Sequence, residues 1–181
     1  MTALIIPMDT IMTRRPIIFL SCFLLCSYLP QAQAQQSVQT AFSPSPDAVI
    51  LIQDTIGHAK KSIDLAGYSF TSYKIADALI DAQRRGVKVR VLLDKGQRKR
   101  HYRAIEEMQD AGIPIRFNSH YAIMHDKYLV IDDKTVETGS FNYTASAEKR
   151  NAENVLVVQD APALAKQYLE NWEKLWDEGD K

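Results

Sequence analysis

Between Asp47 and Phe117 the spacing of apolar residues switches back and forth between a helical and an extended repeat, and few folds accommodate such a pattern. Val49, Ile50, Ile52, Ile56 and Ala59 recur at helical spacing, whereas Ser62-Ile-Asp-Leu-Ala-Gly-Tyr-Ser-Phe70 alternates as a strand does. A second helix is expected over residues 73–85, with Ile75, Leu79 and Ile80 inward and Gly86 as its stop. It leads into the strand Val87-Lys-Val-Arg-Val-Leu-Leu93. A third helix, over residues 98–110, stops at Gly112 and passes into Ile113-Pro-Ile-Arg-Phe117. After residue 120 the pattern changes: Met124 to Ile131 and Thr135 to Thr138 flank Asp132-Asp-Lys134 as a hairpin would, and Asn154 to Val158 reads as a further strand. An amphipathic helix over residues 162–176 closes the chain, with Leu164, Tyr168, Leu169, Trp172 and Trp176 mostly along one face. The expected fold is one α/β domain over residues 47–181, a mixed and largely parallel sheet covered by helices on both faces.

The first 34 residues do not belong to that domain. Arg14 and Arg15 precede an apolar run from Ile17 to Leu29, and Ala32-Gln33-Ala34 follows, which is the order of a secretory signal peptide. The run is shorter than the roughly 20 helical residues that span a bilayer, so no stable membrane insertion is expected. Cleavage near Ala34 would place the protein in the periplasm or outside the cell and remove both cysteines, Cys22 and Cys26. A lipid anchor on Cys26 is the competing reading, against which Leu24 and Leu25 stand where a small residue is expected. Residues 35–46, rich in Gln, Ser, Pro and Ala, read as a linker.

The chain carries 22 basic and 22 acidic residues, and the leader would remove only Arg14, Arg15 and Asp9. Net charge therefore announces no polyanionic partner, but its distribution says more. Lys95, Arg98, Lys99, Arg100 and Arg103 gather with His101 in one short stretch. Such a cluster can contact phosphates on a neutral protein, or it can be the solvated start of a helix.

His125-x-Lys127-x4-Asp132 carries the clearest chemistry. If residues 125–131 form a strand, His125 and Lys127 point the same way. An ammonium group binds anionic phosphate oxygens while a neutral imidazole beside it serves as nucleophile or base. Gly139-Ser140-Phe141-Asn142 follows, and Ser140 and Asn142 would share a face and offer hydrogen bonds to phosphate oxygens. Glu153 opens the next strand and is expected to hold the other nitrogen of His125. Asp132 lies an odd number of residues from His125, faces away, and is assigned with Gly139 a structural role. His58, His101 and His120 lack such company, and no His/Cys/Asp cluster has metal-ligand spacing.

His-x-Lys-x4-Asp followed by Gly-Ser-x-Asn resembles the signature of the phospholipase D superfamily, and a leader plus one short domain is similar to its small exported bacterial endonucleases. The resemblance runs from about Pro46 to the final helix, carried by Met124-His-Asp-Lys127, Val136-Glu-Thr-Gly-Ser-Phe-Asn-Tyr143 and Glu153-Asn154. It implies that His125 forms a covalent phosphohistidine, that Lys127 and Asn142 clamp the phosphate with support from Ser140, and that Glu153 orients the imidazole. It implies no metal or other cofactor. A second histidine must protonate the leaving oxygen, and as the chain has one motif, a homodimer with a shared active site is expected. The expected activity is low-specificity cleavage of DNA, or of RNA, with Arg98, Lys99, Arg100 and Arg103 along the backbone. A hydrolase of lipid phosphodiesters is the alternative, and a catalytically silent nucleic-acid-binding module a third.

Protein recovered from the cell envelope is expected to begin at Gln35, which intact-mass measurement checks. An unprocessed leader on cytoplasmic protein, or a lipid on Cys26, would overturn this reading.

Overall fold

The computed structural model describes residues 35–180, and the leader expected over residues 1–34 lies outside them. The chain runs β1 (Ser37–Ser43), α1 (Asp47–Gly57), β2 (Ser62–Gly67), α2 (Tyr73–Arg84), β3 (Lys88–Asp94), α3 (Lys95–Arg98), α4 (Arg103–Asp110) and β4 (Ile115–Asn118). It continues through β5 (Lys127–Ile131), β6 (Thr135–Gly139), α5 (Ala145–Lys149), β7 (Glu153–Gln159) and α6 (Pro162–Asp177). Local signals set most of these boundaries. The Ser72 hydroxyl caps α2 by accepting from Ile75 N–H, and Gly86, at φ 89°, turns the chain toward β3 in a conformation that costs other residues dearly. Asp132 and Asp133, both at positive φ, form the tight connection between β5 and β6.

The seven strands form one sheet in the order β1-β7-β6-β5-β2-β3-β4. Alternation within each strand divides the interior in two. Ile63, Leu65, Val89, Val91, Leu93, Leu129, Ile131, Val155 and Val157 face α1, α2 and α4. Ala66, Leu92, Tyr128, Val130 and Val136 face α6, which contributes Ala165, Trp172, Leu175 and Trp176. Arg90 crosses this second core: its Nε donates to buried Asp64 at 2.6 Å, its Nη2 to Glu173 at 2.7 Å, and its guanidinium lies 4.2 Å from the Trp172 ring centroid. That arrangement satisfies a charge under an aromatic layer that would otherwise exclude it.

Three expectations need correction. The sheet is mixed with helices on both faces, but its parallel share is smaller than expected. Only β2 with β3 and β3 with β4 run parallel, while β1–β7, β7–β6, β6–β5 and β5–β2 are antiparallel. For β5 and β6 the connection over residues 132–134 forces this, since a parallel return needs a long crossover. Residues 37–43, read as linker, form the edge strand β1 against β7. Its side chains are mostly exposed, Val38 and Phe42 by 60% and 65%, so backbone hydrogen bonds hold it and no apolar alternation betrays it. The helix expected over residues 98–110 is split into α3 and α4, with His101 at φ 43° between them. Asp94 caps α3 through Gly96 N–H, and buried Gln97 accepts from Phe70 N–H, which ties α3 to the end of β2 rather than to the axis of α4.

Glu137 stands fully buried in β6 and accepts a 2.9 Å hydrogen bond from Tyr143 Oη. Burial pushes its carboxyl up to about 8, against the pull of that hydrogen bond. The folded state therefore holds this proton more tightly than the unfolded chain. The contribution is complete below the ordinary glutamate range and is lost as pH rises toward and through 8, at up to about 1.4 kcal/mol per unit. Glu137→Gln is expected to flatten that decline, which urea unfolding of both proteins between pH 5 and about 9 measures. Parallel curves would refute the assignment.

Candidate active site

Because β5 runs antiparallel to β2, β6 to β5 and β7 to β6, one edge of the sheet collects the ends of β2, β3 and β6 with the beginnings of β5 and β7. His125, Lys127, Ser140 and Glu153 meet along that edge. Beside them an open cleft of about 580 Å³ is lined by His125, Lys127, Tyr128 and Ser140 and, from α6, by Tyr168 and Asn171.

His125 is not on a regular strand; it lies in the segment just before β5, and its side chain is exposed. What holds it is the end of β3. The buried Asp94 carboxylate accepts Met124 N–H at 2.9 Å and Gly96 N–H at 2.8 Å, and Lys95 Nζ donates to the Tyr121 carbonyl at 2.9 Å. Met124 is buried, so the adjacent imidazole is turned outward. Its ring centroid sits 4.5 Å from that of Tyr68, tilted by 54°. Lys127, mostly buried, donates to the backbone carbonyl of His125 and places its ammonium 5.2 Å from the Tyr68 ring centroid. Histidine and lysine thus do share one side of the site. Burial lowers the lysine pKa, while Asp126 and Glu153 oppose the shift.

Gly139 ends β6 where no other residue fits, since a Cβ there would lie 2.2 Å from the carbonyl oxygen of Asn154. Ser140 joins the same contact: its hydroxyl donates to Glu153 Oε2 at 2.6 Å and accepts from Asn154 N–H at 3.1 Å. Glu153 also accepts from Asn151 Nδ2 at 2.9 Å. Among the described residues no hydrogen bond joins Glu153 to His125, contrary to expectation. β6 lies between β7 and β5, so the carboxylate meets the serine first and reaches the site electrostatically, through Lys127. Asn142 is half-buried, with an Oδ1 that has no partner among the described residues, and the carbonyl of its neighbour Tyr143 accepts Thr71 and Ser72 N–H at 2.8 and 3.0 Å.

Asp132 stands at the far end of β5, where it accepts the N–H groups of Lys60, Lys61 and Ser62 at 2.8, 2.6 and 2.9 Å. Burial would raise its carboxyl, but those hydrogen bonds together with Lys134 hold it below the ordinary range. Arg98, Lys99, Arg100 and Arg103 follow β3 at the same end as His125 without lining the cleft. Arg98 lies over Phe117 and 3.9 Å from Asp180, Arg100 donates to Tyr102 Oη, and Arg103 pairs with Glu107 at 2.8 Å.

Sequence reasoning missed Tyr68, Asp126 and the α6 wall. The position of Tyr68 just past a strand end was the available signal, because sites in open α/β sheets gather there. Gln167 and Asn171, one helical turn apart beside Tyr168, carried a weaker one.

Residues 52–176 match a family model described as the PLD-like domain of cardiolipin synthase. The chain is 44% identical over 139 residues to a phospholipase D of Rickettsia bellii, spanning 77% of this chain and 69% of that one. It is 32% identical over 136 residues to a mitochondrial cardiolipin hydrolase of Chlamydomonas reinhardtii, spanning 75% and 60%. Among solved structures it is similar to Nuc from Salmonella typhimurium, a phospholipase D family member, with a TM-score of 0.76 and 38% identity over 81% of this chain and 97% of that one.

Gly139→Ala is expected to cost about 2–3 kcal/mol, since the backbone of β7 must move to admit the methyl group. It should also remove most activity under conditions where the variant is folded, because Ser140 and Glu153 move with that backbone. Urea unfolding and a phosphodiesterase assay check both. Wild-type values would show that the two strands separate without cost.

Proposed function

The chain belongs to the phospholipase D superfamily of phosphodiesterases, and from that premise we propose that it is an endonuclease of low sequence specificity. One observation carries the reading: the His125–Lys127 site opens at the end of the molecule where Lys95, Arg98, Lys99, Arg100, Lys149 and Arg150 are exposed. A polyanion laid across that end meets cations on both sides of the site, as backbone binding requires. The 38% identity to Nuc, a phospholipase D family member, over nearly the whole of that chain supports phosphodiester chemistry at this site.

In this mechanism neutral His125 attacks phosphorus and forms a P–N bond. The bond to the leaving oxygen breaks, and that oxygen takes a proton from the imidazolium of His125 of the partner subunit. Water then attacks phosphorus, gives a proton to that second histidine, and the P–N bond breaks. Lys127 and Asn142 bind the nonbridging oxygens, with Ser140 and Glu153 holding the surrounding loop. The ammonium groups supply the positive charge, so no metal ion or other cofactor is required. Asn142 would bind a nonbridging oxygen through its Nδ2–H, since an amide oxygen only accepts.

Two chains share the site, since each brings one His125. The protein acts in the periplasm or outside the cell after cleavage near Ala34, and among the described residues no helix is long and apolar enough to cross a membrane. A lipid phosphodiester is the second reading, favoured by exposed Phe42, Tyr73 and Ile123 at the same end.

The wild-type protein is expected to nick plasmid DNA in excess EDTA and to leave cardiolipin and phosphatidylcholine vesicles intact, and His125→Asn to lose activity by several orders of magnitude. Equal co-refolding of wild-type and His125→Asn chains should leave roughly a quarter of full activity if both histidines serve one site, against roughly half for independent sites. Lipid cleavage without nicking would replace the substrate, restoration by magnesium after EDTA would overturn the mechanism, and the half value would overturn the shared site.

A further inference from the structure

We infer that Tyr68 is a positioning residue of the active site, whose ring sets the orientation of the His125 imidazole and seats the Lys127 ammonium. The inference rests on the proposed roles of His125 and Lys127 and adds the group that keeps them together.

Among the described residues, Tyr68 is the one side chain in ring contact with both. Its centroid is 4.5 Å from the imidazole centroid and 5.2 Å from Lys127 Nζ. An aromatic face attracts an ammonium group most when water is displaced from it, and Lys127 is mostly buried. Tilted packing against the imidazole limits the rotamers open to a histidine that has no strand hydrogen bonds of its own.

The backbone on both sides of Tyr68 is itself held. In the β2–β5 register Gly67 lies opposite Lys127, so Tyr68 leaves the sheet directly beside the lysine. Gly67 allows the close fit, because a Cβ there would come within 3.2 Å of Leu93 and Tyr143. Beyond Tyr68, Gln97 accepts Phe70 N–H at 3.1 Å and the Tyr143 carbonyl accepts Thr71 and Ser72 N–H. The chain just after Tyr68 is thus tied down by the Gln97 side chain of α3 and by the carbonyl of the residue after Asn142, which limits where Tyr68 can stand before substrate arrives.

The charges that act on Lys127 are Asp126 from the preceding segment and Glu153 from β7, both favouring the ammonium form against burial. His125 contributes its carbonyl and Tyr68 its ring face. Arg100 is a further cation within electrostatic reach of the Tyr68 phenol.

Tyr68→Phe keeps the ring and Tyr68→Leu removes it. Two readouts are taken on the full dimeric protein: kcat/KM for bis(4-nitrophenyl) phosphate, and the alkaline titration of Lys127 by NMR of isotopically labelled lysine. Tyr68→Leu is expected to lose about tenfold or more in kcat/KM and to lower the Lys127 midpoint by about half a unit. Tyr68→Phe should stay within about twofold of wild type and leave the midpoint in place. If the leucine variant does not fold, Tyr68→Met, of similar bulk, carries the same readouts. Either readout unmoved in the ringless variant overturns the inference, as does Tyr68→Phe losing as much as Tyr68→Leu. His125→Asn is measured alongside: if it stays active the reading of the site fails, whereas an inactive His125→Asn with an indifferent Tyr68→Leu sinks only the role of Tyr68.

Discussion

The register of β5 is the constraint on which the rest of the site depends. All five of its residues are buried, because the strand lies between β2 and β6 with helices on both faces. Leu129 and Ile131 fill one core, and Tyr128 and Val130 the other. A slip of one residue would exchange the two sets and send Lys127 to the opposite face. Apolar packing along the strand thus decides where an ammonium group stands at its end. The same register sets Lys127 against Gly67 and Tyr128 against Thr138, which gathers three strand ends around one cleft.

Placement of charge matters more here than its amount. The chain is neutral overall, yet the edge that carries His125 also carries the cations of α3 and of the end of α5. At the other end of β5, Asp132 spends its carboxylate on three backbone N–H groups of the loop before β2. That contact pins the two central strands at the end remote from chemistry. Near the cleft, the contacts among Ser140, Glu153 and Asn154 fix the loop after β6 to the start of β7, so the groups lining it are held before anything binds. Partial burial of Lys127 strengthens its pull on an anion while making it easier to deprotonate, and Asp126 and Glu153 act against that loss.

Much of this was legible in the sequence where the signal is local. Helices α2 and α6 and strands β3 and β7 lie within a few residues of expectation, because apolar spacing reports which face of an element is buried. Elements stabilised from a distance were not legible. Strand β1 leaves most of its side chains exposed and rests on hydrogen bonds to β7, more than 100 residues away in the chain. The break between α3 and α4 follows from Asp94 and Gln97 tying α3 to the end of β2. Glu153 was expected on the imidazole and stands instead on Ser140, because its distance from β5 depends on strand order, which no local pattern encodes.

The sequence by itself determined which residues the proposed chemistry calls on. The spacing of His125, Lys127, Ser140 and Asn142 is a covalent property of the chain, and so are the stops at Gly86 and Gly112 that set the lengths of α2 and α4. Only the tertiary structure decided that Tyr68, some 57 residues before His125, touches both His125 and Lys127, that α6 walls the cleft, and that the cations stand on the same edge. The physical reason is the sheet. Strand order and direction follow from burying two cores at once, a condition on the whole chain, and they bring together residues whose separation along it carries no trace of their meeting.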